Sequence, residues 1–197
     1  MNAEINTVQE HSKFPNADAL LDYLESRKDF DVAAPIDLMA IAKILGVEID
    51  ESISMDDMSS VGKISLSEGG RAKIWINPLE NSYGPRKRFT LAHELGHYCL
   101  HLSESRQSFV DTKTTMNRTE SYWDVHEYEA NTFAAELLMP KRLIISEGNK
   151  IIQSYKQEHN SEGVPKVQFI DSLARKLGAS TKAMEYRLMN LGIIPKN

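Results

Sequence analysis

His93, Glu94 and His97 stand in the order H-E-x-x-H inside the run Phe89–His101. On an α-helix, residues four apart share one face, about 6 Å apart along the axis. Two imidazoles at that spacing can converge on one metal ion. Glu94 lies one residue round from the first histidine, near enough to reach a water beside the ion but not placed to ligate it. Two histidine ligands, an open position and a carboxylate that can take a proton are the parts of hydrolytic zinc chemistry. The competing reading is a solvated helix with two surface histidines. It is weakened by Leu91, Ala92, Leu95, Tyr98 and Cys99, which fall on the opposite side and should clamp the helix to a core. Asn81, Ser82 and Pro85 supply a start signal just upstream.

Such a site needs one more protein ligand. His101 is in register but lies about 6 Å further along the same rod, out of reach of an ion held by His93 and His97. It also lacks the glycine turn that precedes a third histidine in metzincins, since Tyr98, Cys99 and Leu100 stand there. A structural or supporting role suits it better. The next helical pattern, His126–Met139, offers His126, Glu127 and Glu129. Glu127 falls at the edge of the apolar stripe of Ala130, Phe133, Ala134, Leu137 and Leu138, facing inward. A buried carboxylate is costly unless paired or metal-bound, so Glu127 is the best third ligand. His126 also points inward and is its rival; it can instead polarise a carbonyl. Glu129 and Glu136 fall on the polar side. Asn131, one turn after Glu127, can brace a ligand.

The elements that must position these residues are legible in outline. Residues 17–27 and 35–46 read as helices, the second with Pro35 near its start and Gly46 at its end. Residues 47–49, 59–67 and 72–77 read as strands, the last two joined by Gly69-Gly70 into an antiparallel hairpin against the motif helix. The hairpin's outer edge is a place where a peptide can add as a strand. Residues 103–125 show no periodicity and are expected to be a lid, a binding loop or disordered. Helices are expected over 141–157, 167–177 and 181–191, the last two separated by Gly178-Ala179-Ser180. The sum is an α+β fold: a mostly helical, zincin-like domain with a small antiparallel sheet on the motif helix. The expected organisation is a flexible N-terminus over 1–16, a core over 17–140 and a basic helical subdomain over 141–197.

The chain has 197 residues and a net charge of −5, spread as −8 over residues 1–80, −2 over 81–140 and +5 over 141–197. No apolar run approaches the ~20 residues of a membrane span, and Met1–Phe14 lacks the apolar core of a signal peptide. The one cysteine, Cys99, fits a reducing cytoplasm and a buried role. The basic C-terminal part permits contact with DNA, and Ala174, Gly178 and the break before Thr181 have helix-turn-helix spacing. A capped helix pair packed on the core accounts for the same residues, with Gly178 as the C-cap.

Arg88–His97 (R-F-T-L-A-H-E-L-G-H), then Leu100-His101, then Glu127–Pro140 (E-Y-E-A-N-T-F-A-A-E-L-L-M-P) together resemble the ImmA/IrrE-type metallopeptidase family. Weaker similarity extends the likeness over roughly residues 35–194. The resemblance implies a gluzincin-like zinc site with His93, His97 and Glu127 as ligands and Glu94 as general base. It also implies a substrate class: members often cleave a partner repressor of the helix-turn-helix type, switching on phage, mobile-element, stress or defence genes. Many carry a helix-turn-helix domain of their own ahead of the catalytic part; this chain is expected to start too close to its catalytic part to hold a complete one.

By this reading Glu94 takes a proton from a metal-activated water and returns it to the leaving amine. An oxyanion donor is also needed, and His126, Tyr122, Tyr98 and Tyr83 are the candidates. Two rival functions stand beside hydrolysis: a DNA-binding regulator, and a zinc-binding module without turnover that masks a repressor.

Overall fold

The computed structural model describes residues 14–67, 69–103, 106–112 and 124–196. In chain order these form α1 (Ala17–Glu25), α2 (Leu38–Ile44), β1 (Glu48–Asp50), β2 (Ser60–Leu66), β3 (Ala72–Ile76), α3 (Gly84–Leu100), β4 (Ser108–Thr112), α4 (Val125–Leu138), α5 (Lys141–His159), α6 (Lys166–Leu177) and α7 (Thr181–Asn190). The fold is α+β. Short polar side chains satisfy the first amides of most helices, as helix starts require. Asn16 Oδ1 accepts from Ala19 N at 2.8 Å and Asp37 Oδ1 from Ala40 N at 3.0 Å. Asp124 caps α4 and Ser180 caps α7 in the same way. At α3 the opening turn holds Pro85, whose missing N–H costs nothing there.

The strands form one sheet of order β1-β3-β2-β4. β2 and β3 are the antiparallel hairpin that the sequence predicts, but β1 runs parallel to β3, so the sheet is mixed. The hairpin has no outer edge: β1 covers β3 and β4 covers β2. β4 corrects the reading of 103–125 as wholly aperiodic. It pairs antiparallel with β2 (Ile64 with Phe109, Gly62 with Asp111), with a register shift between Ser60 and Gly62. Phe109 and Asp111 point to the buried face and their neighbours outward. Residues 113–123, including Tyr122 and Trp123, and residues 1–13 of the expected flexible terminus lie outside the described residues. Of that terminus, Phe14 is buried and Asn16 is the cap of α1.

One apolar core runs through the described chain, from Leu20 and Leu24 of α1, past Ile64 and Ile74 of the sheet, to Leu173 and Leu188 of α6 and α7. Residues 141–197 therefore share their core with residues 17–140 rather than building a second one. α3 passes through the middle, against β2 and β3 on one side and α4 on the other. It is buried nearly all round from Thr90 to Cys99, including His93, Glu94 and His97. Burying three polar side chains costs on the order of 1–3 kcal/mol each where they lack partners. Leu91, Leu95, Tyr98 and Cys99 on the other face offset this, at about 1.5–3 kcal/mol per large apolar side chain buried. Cys99 is free and buried, which pushes its thiol well above the ordinary range and makes it a core residue.

Candidate metal centre

α3 and α4 approach to backbone contact. A Cβ on Gly96 would lie 3.2 Å from the carbonyl oxygen of Ala130 and 3.3 Å from Phe133 Cβ. The glycine of H-E-x-G-H thus lets α4 lie directly on α3, one turn from Glu127. Asp124 fixes where α4 begins, its Oδ1 accepting from His126 N at 2.9 Å and Glu127 N at 3.4 Å. Glu127, 5 % exposed, then points at the two histidines.

The structure brings together His93, His97 and Glu127 and adds a fourth residue, Asp111 of β4; all four are buried, and one ligand atom from each lies within 4.8 Å of the others. His93 Nε2 and His97 Nε2 are 3.0 Å apart. Glu127 Oε2 lies 3.4 Å from His93 Nε2, and its Oε1 lies 3.3 Å from His97 Nε2. Asp111 Oδ2 lies 3.1 Å from His93 Nε2 and 3.8 Å from His97 Nε2. Four donors at tetrahedral positions about 2.1 Å from an ion are roughly 3.4 Å from one another. The observed spans bracket that value.

The tautomers point the same way. His93 Nδ1–H donates to Asn131 Oδ1 at 3.1 Å, which turns the Nε2 lone pair inward. His101 Nε2–H donates to Glu129 Oε2 at 2.9 Å, so His101 Nδ1 accepts from His97 Nδ1–H at 3.0 Å. The His97 Nε2 lone pair then also faces the centre. Two lone pairs 3.0 Å apart, with two carboxylates beside them, repel unless a positive charge lies between. The electrostatics of the residues alone say the same. Burial lowers the affinity of His93 for a proton, but Asp111 and Glu127 outweigh it and raise its pKa to about 9. Burial keeps His97 below the usual histidine value. Glu127 pays a burial penalty yet is held well below the carboxylate range by the two histidines. The donor set of two imidazoles and two carboxylates therefore fits a divalent metal ion, whose charge the two carboxylates would balance.

Glu94 lies beside the cluster. Its side chain is fully buried, and among the described residues no donor is placed on either oxygen. Burial first, then the adjoining Asp111 carboxylate, holds its pKa well above the ordinary value. Its seat depends on Gly62 of β2, where an added Cβ would lie 2.3 Å from Glu94 Oε1 and 2.8 Å from Thr90 Cγ2. Thr90 is itself fixed, its Oγ1 donating to Asn81 Oδ1 at 2.6 Å.

The other residues singled out in the sequence are placed as follows. His101 is outside the cluster and holds His97 through the bond just described. Asn131 does the same for His93. Glu129 is half exposed and closes the His97–His101 chain. His126 stands above the cluster rather than in it, 3.3 Å from Arg106 Nη1 and edge-on to the His101 ring at 4.8 Å. Tyr98 is on the far side of α3 and donates to Leu45 O at 3.1 Å, which removes it as an oxyanion donor. Tyr83 is 59 % exposed at the rim of a cavity of about 450 Å³, walled by Phe89, Thr90, Leu138, Met139 and Ala183. Sequence reasoning missed Asp111. The signal available was the run Phe109-Val110-Asp111-Thr112, which alternates, is rich in strand formers and puts the carboxylate on the face of Phe109.

Residues 51–189 match the family model Peptidase_M78, described as an IrrE N-terminal-like domain. No curated protein matches the chain.

Proposed function

Because the chain belongs to the IrrE N-terminal-like peptidase family, we propose that it is a zinc-dependent endopeptidase with His93, His97 and Glu127 as ligands and Glu94 as general base. The observation that carries this reading is the convergence of four buried ligand atoms next to a fully buried carboxyl group that has no donor on it. A divalent ion held there supplies Lewis acidity, polarising the scissile carbonyl and lowering the pKa of a water to about 7.

The chain's own residues do the remainder. Glu94 accepts the proton of the attacking water and passes it to the departing amine. Burial, and then the Asp111 carboxylate, raises the pKa of Glu94, which makes it a stronger proton acceptor than an ordinary carboxylate. Asn131 and His101 hold the two imidazoles in the tautomers that present Nε2. His126, half exposed beside the cluster, is the candidate to donate to the developing oxyanion. Among the described residues β4, which carries Asp111, is an outer strand of the sheet, and an extended substrate laid along it would lie next to the cluster.

The substrate in this proposal is a partner repressor of the helix-turn-helix class, whose cleavage derepresses a phage, mobile-element, stress or defence operon in the cytoplasm. Family likeness supports that class of substrate. Direct DNA readout by α6 and α7 remains the rival reading; against it, one basic side chain of α7 is engaged inward, Arg187 Nε donating to Met139 O at 3.1 Å. Among the described residues, no helix is long and apolar enough to cross a membrane.

The test is co-production of the chain with a helix-turn-helix repressor, followed by mass analysis of the repressor. Glu94→Gln should retain the metal and lose turnover by at least about 10²-fold. A repressor left intact by the wild-type but bound by both forms would replace the peptidase with a masking module.

A further inference from the structure

Hydrolysis at such a centre needs three protein ligands and one position left for water; centres closed by four protein ligands are of the structural, non-hydrolytic kind. Here, among the described residues, the donors number four. Asp111 Oδ2 lies 3.1 and 3.8 Å from the two imidazole nitrogens, against 3.4 and 3.3 Å for Glu127, so distance does not distinguish the expected ligand from the unexpected one. Asp111 is 1 % exposed. It is held in place by β4, where Val110 pairs with Lys63 and Asp111 itself with Gly62. Phe109, on the same face of the strand, stacks on the His97 ring at 4.2 Å and locks β4 to the ligand helix.

Glu94 supplies the second observation. Its carboxyl is fully buried, has no donor on it among the described residues and adjoins the Asp111 carboxyl. A general base must face its water. Here it faces an aspartate. We infer that Asp111 is a fourth metal ligand that closes the resting centre, and that the centre turns over only when this carboxylate gives way to water. The inference rests on the metal centre proposed above and adds a latent state to it. The exchange is a substitution at the ion: one carboxylate–metal bond breaks and one water oxygen takes its place. The element that must move is β4, which among the described residues is an outer strand of the sheet.

The test uses the full chain loaded with Co(II), whose visible spectrum reports coordination, and acetohydroxamate as a probe for an open position. Wild-type protein should give a four-coordinate spectrum that acetohydroxamate barely changes. Asp111→Ala should give an altered spectrum. Losing a ligand should weaken Co(II) binding by at least the ~10-fold that losing a mere supporting partner costs. It should also bind acetohydroxamate more tightly than wild-type by a similar factor. Asp111→Asn, which keeps the side chain's shape, guards against a folding defect in the alanine variant and should shift the same way. Identical spectra and acetohydroxamate affinities in wild-type and both variants would overturn the inference and leave the three-ligand centre standing. Undiminished Co(II) uptake by His93→Ala would instead remove the centre itself, so the two failures are told apart.

Discussion

Gly62 carries no functional group, yet its replacement should be among the most damaging to turnover. In Gly62→Ala the new methyl would sit 2.3 Å from Glu94 Oε1 and 2.8 Å from Thr90 Cγ2. Carbon and oxygen normally stay about 3.3 Å or more apart, so one side must yield by roughly 1 Å. β2 is poorly able to do so: it is paired on both sides, and Val61 O accepts from Asn81 Nδ2 at 2.8 Å and Asn77 N at 3.1 Å. Thr90 is anchored by Asn81. The yielding group is therefore the Glu94 carboxyl. Overpacking of this kind costs about 1–3 kcal/mol of stability, which lowers a melting temperature by roughly 2–12 °C for a chain of this size. Displacing the base by ~1 Å should cost about 10²-fold in kcat/KM. His93, His97 and Glu127 are not touched, so metal content should stay stoichiometric. The assay is repressor cleavage by the purified, metal-loaded variant, run beside a thermal melt and a metal analysis. A variant that melts as expected, holds its metal and cleaves within about threefold of wild-type would refute the placing of Glu94 as the base seated by this glycine.

Further outcomes follow from the same geometry. His101→Ala should free the His97 ring and weaken metal binding by about 10- to 100-fold, measured by chelator competition, whereas Glu129→Ala, whose carboxylate is half exposed, should do much less. Without an ion, the buried carboxyl groups of Glu94, Asp111 and Glu127 lie close together with no cation between them. Chelation should therefore destabilise the fold, by about 4 kcal/mol relative to protein held at metal a thousandfold above Kd, read as a fall in melting temperature. Asp50 is held down to about 2 by the Ser52 amide and then by Lys73, below its ordinary 3.8. A depressed carboxyl stabilises above the unfolded pKa and loses that contribution as pH falls through the folded one. The stability gap between wild-type and Asp50→Asn should thus be present at neutral pH, at most about 1 kcal/mol for so exposed a pair, and close between pH 4 and pH 2 in denaturant titrations.

The helices were legible because their signals are local. Pro85 marks a start, Gly46 and Gly178 mark ends, and the apolar stripes have helical period; Pro35 set the second helix three residues early, because the cap is Asp37. Glu127 was legible for the same reason: a carboxylate on an apolar stripe is anomalous within one helix. Asp111 was not, because nothing local makes an aspartate at a strand centre a ligand. Its role arises only when β4 is laid against β2, and pairing partners are set by tertiary context. β1 was read as a strand, but its parallel pairing was missed on the same ground. A three-residue strand states neither its partner nor its direction. Gly62 and Gly96 carry no pattern either; their meaning lies in what would collide with a side chain there.

The contact at Gly96 bears on how much change the centre can tolerate. The span from His97 to Glu127 is fixed where main chain meets main chain, Gly96 against Ala130, and not by interdigitated side chains. Core residues further from that contact, such as Leu20, Ile74 or Leu173, can be exchanged for others of similar volume without altering that gauge. The ligand pair is in this sense insulated from drift elsewhere in the core. The entire tolerance of the fit is concentrated at one position, where even a methyl group would act as a spacer.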